Sequence, residues 1–206
     1  MKIFLYSFIS LLIISCATPT KKSEIAGIKK FQKDLNTEYQ NPKETPLRSD
    51  NLKNFTVHPF FPINLKYRIK ADFTKLTNSP SFEFPTSSGK TKTYKAYGKA
   101  TFKLEGKNYT LTIYQSQDLM KKAGLEDYLF LPFHDLTNIH ETYGGGKYLD
   151  LRIPKSDKIV LDFNQSYQPY CAYNAYDYNC PVVPEENSLP VRIEAGVKYL
   201  NTYFEH

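Results

Sequence analysis

The chain has 206 residues, a formal net charge of +6 and an aromatic content of 15%, with no tryptophan. Its length suits one ordinary domain with a sizeable core. The positive charge is carried mostly by lysine and is spread along the sequence instead of forming one arginine-rich block. A nucleic-acid partner is therefore not expected.

The N-terminus has the pattern of an export signal. Lys2 precedes an apolar run over residues 3–14. This run is too short to span a bilayer, which needs about 20 apolar residues, but it suits the central region of a signal peptide. We therefore predict that residues 1–15 are a signal peptide.

Cys16 follows this run in the order Ile13-Ile14-Ser15-Cys16. The order resembles the lipobox of bacterial lipoproteins, in which a small residue precedes the acylated cysteine. Cys16 is thus predicted to carry acyl chains such as palmitate, which would be the membrane partner. The alternative is an ordinary signal peptide that happens to contain a cysteine. Ala17, in place of Asp, predicts the outer membrane, with the protein facing the periplasm.

Two cysteines remain after Cys16 is assigned to lipid, namely Cys171 and Cys180. An even pair in an oxidising compartment favours a disulfide. Closing so short a loop would stabilise the fold by about 2–3 kcal/mol.

A helix is predicted to follow the tether at residues 16–22, and residues 23–206 are predicted to form one domain. Ser23 can cap the helix, and Asn41-Pro42 ends it. Between them, apolar residues recur every three or four positions, which is typical of an amphipathic helix: Ile25, Ile28, Phe31, Leu35 and Tyr39.

Most of the remaining chain shows β patterns. Apolar and polar residues alternate over residues 67–73 and again over 93–115, where a turn at 105–108 indicates a hairpin. Residues 116–127 are compatible with a short helical turn. Further strands are predicted at residues 128–133, 147–153, 158–163 and 190–195. Closely spaced strands predict a mainly β fold, an antiparallel β-barrel or sandwich with an N-terminal α-helix.

A fixed series of motifs in the C-terminal half resembles the family called domain of unknown function 1684 (DUF1684). The series is Glu141-Thr142-Tyr143-Gly144-Gly145-Gly146, Asp162-Phe163-Asn164, Cys171-Ala172-Tyr173 and Cys180-Pro181. The resemblance implies no settled activity. Relatives without a signal peptide also carry the cysteine pair, which implies thiols or metal ligands as alternatives to a disulfide.

Four side chains between residues 134 and 141 have the chemistry of a metal or acid–base site: His134, Asp135, His140 and Glu141. Imidazole and carboxylate groups can bind Zn²⁺ or transfer protons. Their spacing does not match the HExxH motif, so a solvated polar loop is the favoured interpretation. No cofactor is predicted, and a divalent metal is the alternative.

The glycines Gly144, Gly145 and Gly146 precede Lys147, as in a phosphate-binding loop. Tyr148 stands where that motif requires Ser or Thr. A turn leading into a strand is the better interpretation. Such a turn can still offer backbone N–H groups to an anion.

Six polar or aromatic side chains are candidates for ligand binding or catalysis: Glu141, Tyr143, Asp162, Asn164, Tyr167 and Tyr173. We favour a small-ligand-binding or envelope-interaction module with a tyrosine-lined pocket near the Glu141 and Cys171 motifs. The alternative is a hydrolase that uses Glu141 and Asp162, with or without a metal.

Overall fold

The computed structural model describes residues 19–199. The predicted signal peptide and Cys16 lie outside the described residues. Two α-helices and seven β-strands make up the regular structure: α1 (Lys21–Gln40), α2 (Ser49–Asn54), β1 (Arg68–Lys75), β2 (Ser81–Pro85), β3 (Thr91–Leu104), β4 (Lys107–Ser116), β5 (Tyr128–Phe133), β6 (Lys147–Arg152) and β7 (Lys158–Asp162).

The seven strands form one antiparallel sheet that is curled into a half-barrel. Its order is β6-β5-β4-β3-β1-β7, and β2 pairs with β3 beside β1. The long strand β3 can pair with both because β1 and β2 occupy different parts of its length. The prediction of a mainly antiparallel β fold with an N-terminal helix is confirmed.

The β3–β4 hairpin is confirmed, with a tighter turn than expected. Its two turn residues, Glu105 and Gly106, have φ angles of 51° and 81°. Positive φ at both positions is the signature of a type I′ turn, whose twist matches that of the flanking strands. Further along, a β-bulge between Ala96 and Gly98 shifts the register of β3 against β4.

Residues 190–195 do not form the predicted strand. Burial nevertheless alternates along the segment, whose side chains enter the main core and the solvent in turn without belonging to a strand. Leu189, Val191, Ile193 and Ala195 are buried, and this alternation produced the incorrect prediction. The sequence analysis also missed α2 and β2; in β2 only Phe84 is buried.

Helix α1 begins at Lys21, two residues before Ser23, where the sequence predicts its start. Thr20, not Ser23, is the N-cap, and its Oγ1 accepts a hydrogen bond of 3.2 Å from the Ser23 amide. The predicted apolar face is confirmed, with Ile28, Leu35 and Tyr39 buried. Among residues 19–199, no helix has the length and apolar character needed to cross a bilayer.

An arginine ties α1 to the sheet. Arg68 at the start of β1 lies 3.3 Å from Glu24 of the helix and 3.3 Å from Asp162 at the end of β7. All three side chains are at least three-quarters buried. The contact holds the N-terminal half of the helix against one end of the sheet.

His58 is buried in an aromatic cluster under α1. Its ring lies 4.3 Å from that of Tyr39, 4.9 Å from Phe55 and 5.7 Å from Tyr173. Its Nε2 atom is buried without a hydrogen-bond partner among the described residues. Burial lowers the pKa of His58 from its usual 6.5 to about 4, because the charged ring would lose its hydration.

We expect His58 to make the fold sensitive to acid. The unfolded chain takes up a proton below pH 6.5, whereas the folded protein resists it until about pH 4. This contribution to stability is therefore complete above pH 6.5 and is lost as the pH falls toward 4. Between pH 7.5 and pH 5, this effect should lower the free energy of unfolding by about 2 kcal/mol.

Urea unfolding of His58→Phe should show a shallower loss of stability over this range than the parent protein. Replacement of the exposed His140 by Gln is the control and should leave the parent slope unchanged. Equal slopes for His58→Phe and the parent would contradict the assignment.

Candidate functional site

Strands β5 and β6 present two different faces. Leu129, Leu131, Leu149 and Leu151 enter the main core inside the half-barrel. Because side chains alternate along a strand, their neighbours point to the opposite face. These neighbours are Pro132 and Arg152 together with three aromatic residues and one acid: Tyr128, Phe130, Tyr148 and Asp150.

This second face forms the floor of a cavity of about 570 Å³, which we call the tyrosine cavity. Helix α1 forms one wall through Phe31, Leu35 and Glu38. The loop around the cysteines forms another wall. Small-molecule sites typically enclose about 300–1,000 Å³. Six tyrosines line it: Tyr94, Tyr128, Tyr148, Tyr167, Tyr170 and Tyr178.

Asp150 is the central polar group of the tyrosine cavity. Its Oδ1 atom accepts hydrogen bonds from the hydroxyls of Tyr167, at 2.7 Å, and Tyr128, at 2.9 Å. The loss of hydration in this confined place raises its pKa, and the two hydrogen bonds offset part of the shift. The side chain is still reached by solvent. The site thus contains an oriented carboxylate that water and small ligands can reach.

The other charged groups that line the cavity differ in their partners: an opposite charge, a hydrogen bond or solvent. Asp177 is paired with Arg48, which helps to hold the pKa of this carboxyl below its usual range. Glu38 accepts a hydrogen bond from Tyr170. Lys92 is exposed. Within residues 19–199, neither Glu38 nor Asp150 takes part in an ion pair.

Cys171 and Cys180 are buried beside each other, and Cys180 lines the cavity. The two sulfurs are not bonded to each other in this structure, and the Cys171 amide donates to the Cys180 sulfur at 3.1 Å. Hydrogen bonding to Cys180 lowers the pKa of Cys171. The disulfide stays a prediction, which this proximity allows.

Residues 53–198 match the sequence pattern of one known protein family. This stretch matches the family described as protein of unknown function (DUF1684). The chain belongs to the DUF1684 family. No curated protein matches this member.

A solved structure supports the DUF1684 fold. It is the solution NMR structure of an uncharacterized protein of Haloarcula marismortui, with a TM-score of 0.68 and 26% sequence identity. The similarity covers 86% of this chain and 95% of that one. The shared fold therefore includes nearly all of the other protein, which is described only as uncharacterized.

The two carboxylates predicted for hydrolysis are engaged by different arginines. Glu141 is paired with Arg192, and Asp162 lies 3.3 Å from Arg68. Neither carboxylate lines the tyrosine cavity. Asn164 holds the chain before β1 in place. Its Oδ1 accepts a hydrogen bond of 2.9 Å from the Asn64 amide, and its Nδ2 donates one of 3.0 Å to the Asn64 carbonyl.

The three predicted tyrosines are divided between two environments. Tyr167 lines the tyrosine cavity and binds Asp150. Tyr143 and Tyr173 instead pack in the aromatic cluster under α1, each with its ring 5.5 Å from that of Tyr199. Burial raises the pKa of Tyr143 to about 12.

The candidate metal ligands His134, Asp135 and His140 are not arranged as one site. Asp135 is fully buried against Lys147, with 2.7 Å between Oδ2 and Nζ. His134 is partly buried, which lowers its pKa, whereas His140 is exposed. In the described part of the chain, no three His, Cys, Asp or Glu side chains are grouped to hold a metal ion.

The glycine turn packs tightly against its neighbours. Gly146 has a φ of 99°, and a Cβ atom there would lie 2.4 Å from Val183. Its amide donates to the Tyr143 carbonyl and is therefore not available to an anion. The lysine that follows points into the core. Anion binding at Gly144 and Gly145 stays a prediction.

Asp150, Tyr128 and Tyr148 were not predicted from the sequence as site residues. A signal was present, because Asp150 lies between Leu149 and Leu151 in the middle of a strand. An acid at that position requires either solvent or polar partners. The partners come from the neighbouring strand β5 and from the loop at Tyr167, and strand pairing between distant segments could not be deduced from one sequence.

Removing one partner of the buried Lys147–Asp135 pair should destabilise the fold strongly. Replacing Lys147 with Met leaves the Asp135 carboxylate buried without a cation, which we expect to cost about 3–5 kcal/mol in urea unfolding at pH 7. The added change Asp135→Asn should restore part of the loss, because it removes the unpaired charge.

The exposed pair of Lys158 and Asp72 provides the matched control. Lys158→Met should shift the urea midpoint far less than Lys147→Met, because solvent screens that pair. A similar loss in both variants would contradict the role given to the buried pair.

Proposed function

We propose that this protein is a small-ligand-binding lipoprotein of the bacterial cell envelope, and that the tyrosine cavity is its binding site. The observation that carries the proposal is the oriented Asp150 carboxylate on the floor of an aromatic cavity. Such a site combines apolar surface with a few fixed polar groups, as ligand sites do. Catalysis by Glu141 and Asp162 is not favoured, because each carboxylate is held by an arginine outside this cavity.

Membrane anchoring at Cys16 is the second part of the proposal. Its support is the lipobox-like sequence at residues 13–16. Acyl chains on Cys16 would hold the protein at the outer membrane, facing the periplasm, where small solutes reach the cavity. Two or more chains are needed for stable anchoring.

Lipidation can be tested in a bacterial host that expresses the full-length chain. Labelled palmitate should enter the protein, and the protein should partition with the membrane fraction. Cys16→Ser should abolish both, whereas Cys171→Ser should abolish neither. Label retained by Cys16→Ser would reject the anchor.

Ligand binding can be tested with a chemically mixed fragment library and NMR detection on protein purified from cells that express the full-length chain. Bound fragments should shift the amide signals of Tyr128 and Asp150. Leu119→Trp should fill the cavity and weaken binding at least tenfold, because Leu119 is part of its lining.

The control for this experiment uses a second cavity, of about 400 Å³, to which Leu136 contributes. Leu136→Trp places the same bulky ring there and should leave fragment binding unchanged. Circular dichroism verifies that both variants fold. Binding lost only in Leu136→Trp, or no fragment bound at the tyrosine cavity, would reject the proposed site.

A further inference from the structure

The hydrogen-bonding groups of the tyrosine cavity determine which ligand chemistry it can accept. A tyrosine hydroxyl has one proton to donate. Tyr128 and Tyr167 donate theirs to Asp150, and Tyr170 donates its proton to Glu38. Tyr148 donates to the carbonyl of Pro181. These hydroxyls can therefore offer a ligand only their oxygen lone pairs.

The carboxylates add further acceptors. The described hydrogen bonds of Asp150 all end on Oδ1, and that of Glu38 ends on Oε1. A second oxygen of each group is left for a ligand. A sugar or other polyol brings acceptors as well as donors, and neither Asp150 and Glu38 nor the four tyrosines bonded in this way have a proton to offer those acceptors. A ligand that only donates hydrogen bonds suits this lining better.

The charge balance favours a cation. Asp177 is neutralised by Arg48. Burial raises the pKa of Asp150, and the charge of Arg152 offsets part of this rise, but the Arg152 guanidinium binds Asp127, at 2.6 Å, and the Gly124 carbonyl. Asp150 and Glu38 therefore face the cavity without a paired cation among the described residues, and the one lysine in the lining, Lys92, is exposed.

The aromatic walls suit the same ligand. The rings of Phe130 and Tyr148 meet edge to face at 4.7 Å, and those of Tyr170 and Tyr178 meet at 5.0 Å. Ring faces attract cations and also bury apolar groups. Phe31 and Leu35 of α1 add apolar surface on the other side.

We propose that the tyrosine cavity binds an organic ammonium ion with an apolar body, whose N–H groups donate to Asp150 while its body packs among the tyrosine rings. This inference rests on the proposed function, since it names the ligand class of the same cavity.

Three probes with one body and different charge test the inference: 2-phenylethylammonium, 2-phenylethanol and 3-phenylpropanoate. Titrations at pH 7 are followed by NMR on the purified protein. We expect the ammonium ion to bind at least tenfold more tightly than the alcohol or the carboxylate. Its shifts should centre on Tyr128, Phe130 and Asp150.

Asp150→Asn removes the charge but keeps an oxygen that can accept the tyrosine hydroxyls. It should weaken binding of 2-phenylethylammonium at least tenfold. Asp157→Asn changes the net charge by the same amount at an exposed position outside the cavity, and it should leave the affinity unchanged. Equal losses in the two variants would indicate a general charge effect and overturn the inference.

Failure of the ligand class can be distinguished from failure of the binding site. Tighter binding of the alcohol or the carboxylate at the cavity would overturn the ammonium assignment and leave the proposed function standing. No binding of the ammonium probe would also overturn it, and the fragment screen then decides whether the cavity binds small molecules of another class.

Discussion

The buried ion pair between Lys147 and Asp135 is the interaction on which the rest of the structure depends. Both side chains are completely inaccessible to solvent. Burial lowers the pKa of Lys147, and the adjacent Asp135 carboxylate offsets part of this shift. Asp135 also accepts the amides of Thr137 and Ile193, and Lys147 donates to the Ile193 carbonyl at 2.9 Å. The pair thus joins the loop after β5, the first residue of β6 and the C-terminal segment at Ile193.

The same pair sets which way strand β6 faces. Lys147 is the first residue of the strand and points inward, so Leu149 and Leu151 also point inward. Tyr148 and Asp150 must then point to the tyrosine cavity. A slip of one residue would reverse every side chain of the strand and bury Asp150 among leucines. The position of the carboxylate therefore depends on a lysine that does not line the cavity.

The amino-acid sequence was sufficient to predict the elements whose patterns are local. The apolar face of α1, the β3–β4 hairpin and strand β5 follow from periodicity and turn chemistry. The site was not local. Asp150, Tyr128 and Tyr167 come from three separate segments, and only strand pairing and the loop before Cys171 bring them together. The motif around Glu141 drew attention because it is distinctive, yet its glycines serve tight packing and Glu141 pairs with Arg192.

The cavity is assembled from two parts of the chain that differ in their relation to the family. Its floor, including Asp150, lies within residues 53–198, which match the DUF1684 family. The wall that carries Glu38 belongs to α1, which precedes that match.

In a lipoprotein anchored at Cys16, only residues 17–20 separate the lipid from Lys21, and a chain this short spans at most about 14 Å. Helix α1 would then be the element held nearest the membrane. One wall of the cavity would thus be tied to the bilayer surface, whereas the sheet that carries Asp150 is tied to the helix through Arg68. A change in how α1 packs would then alter the proposed binding site directly, and this helix would link the proposed anchor to the chemistry of the cavity.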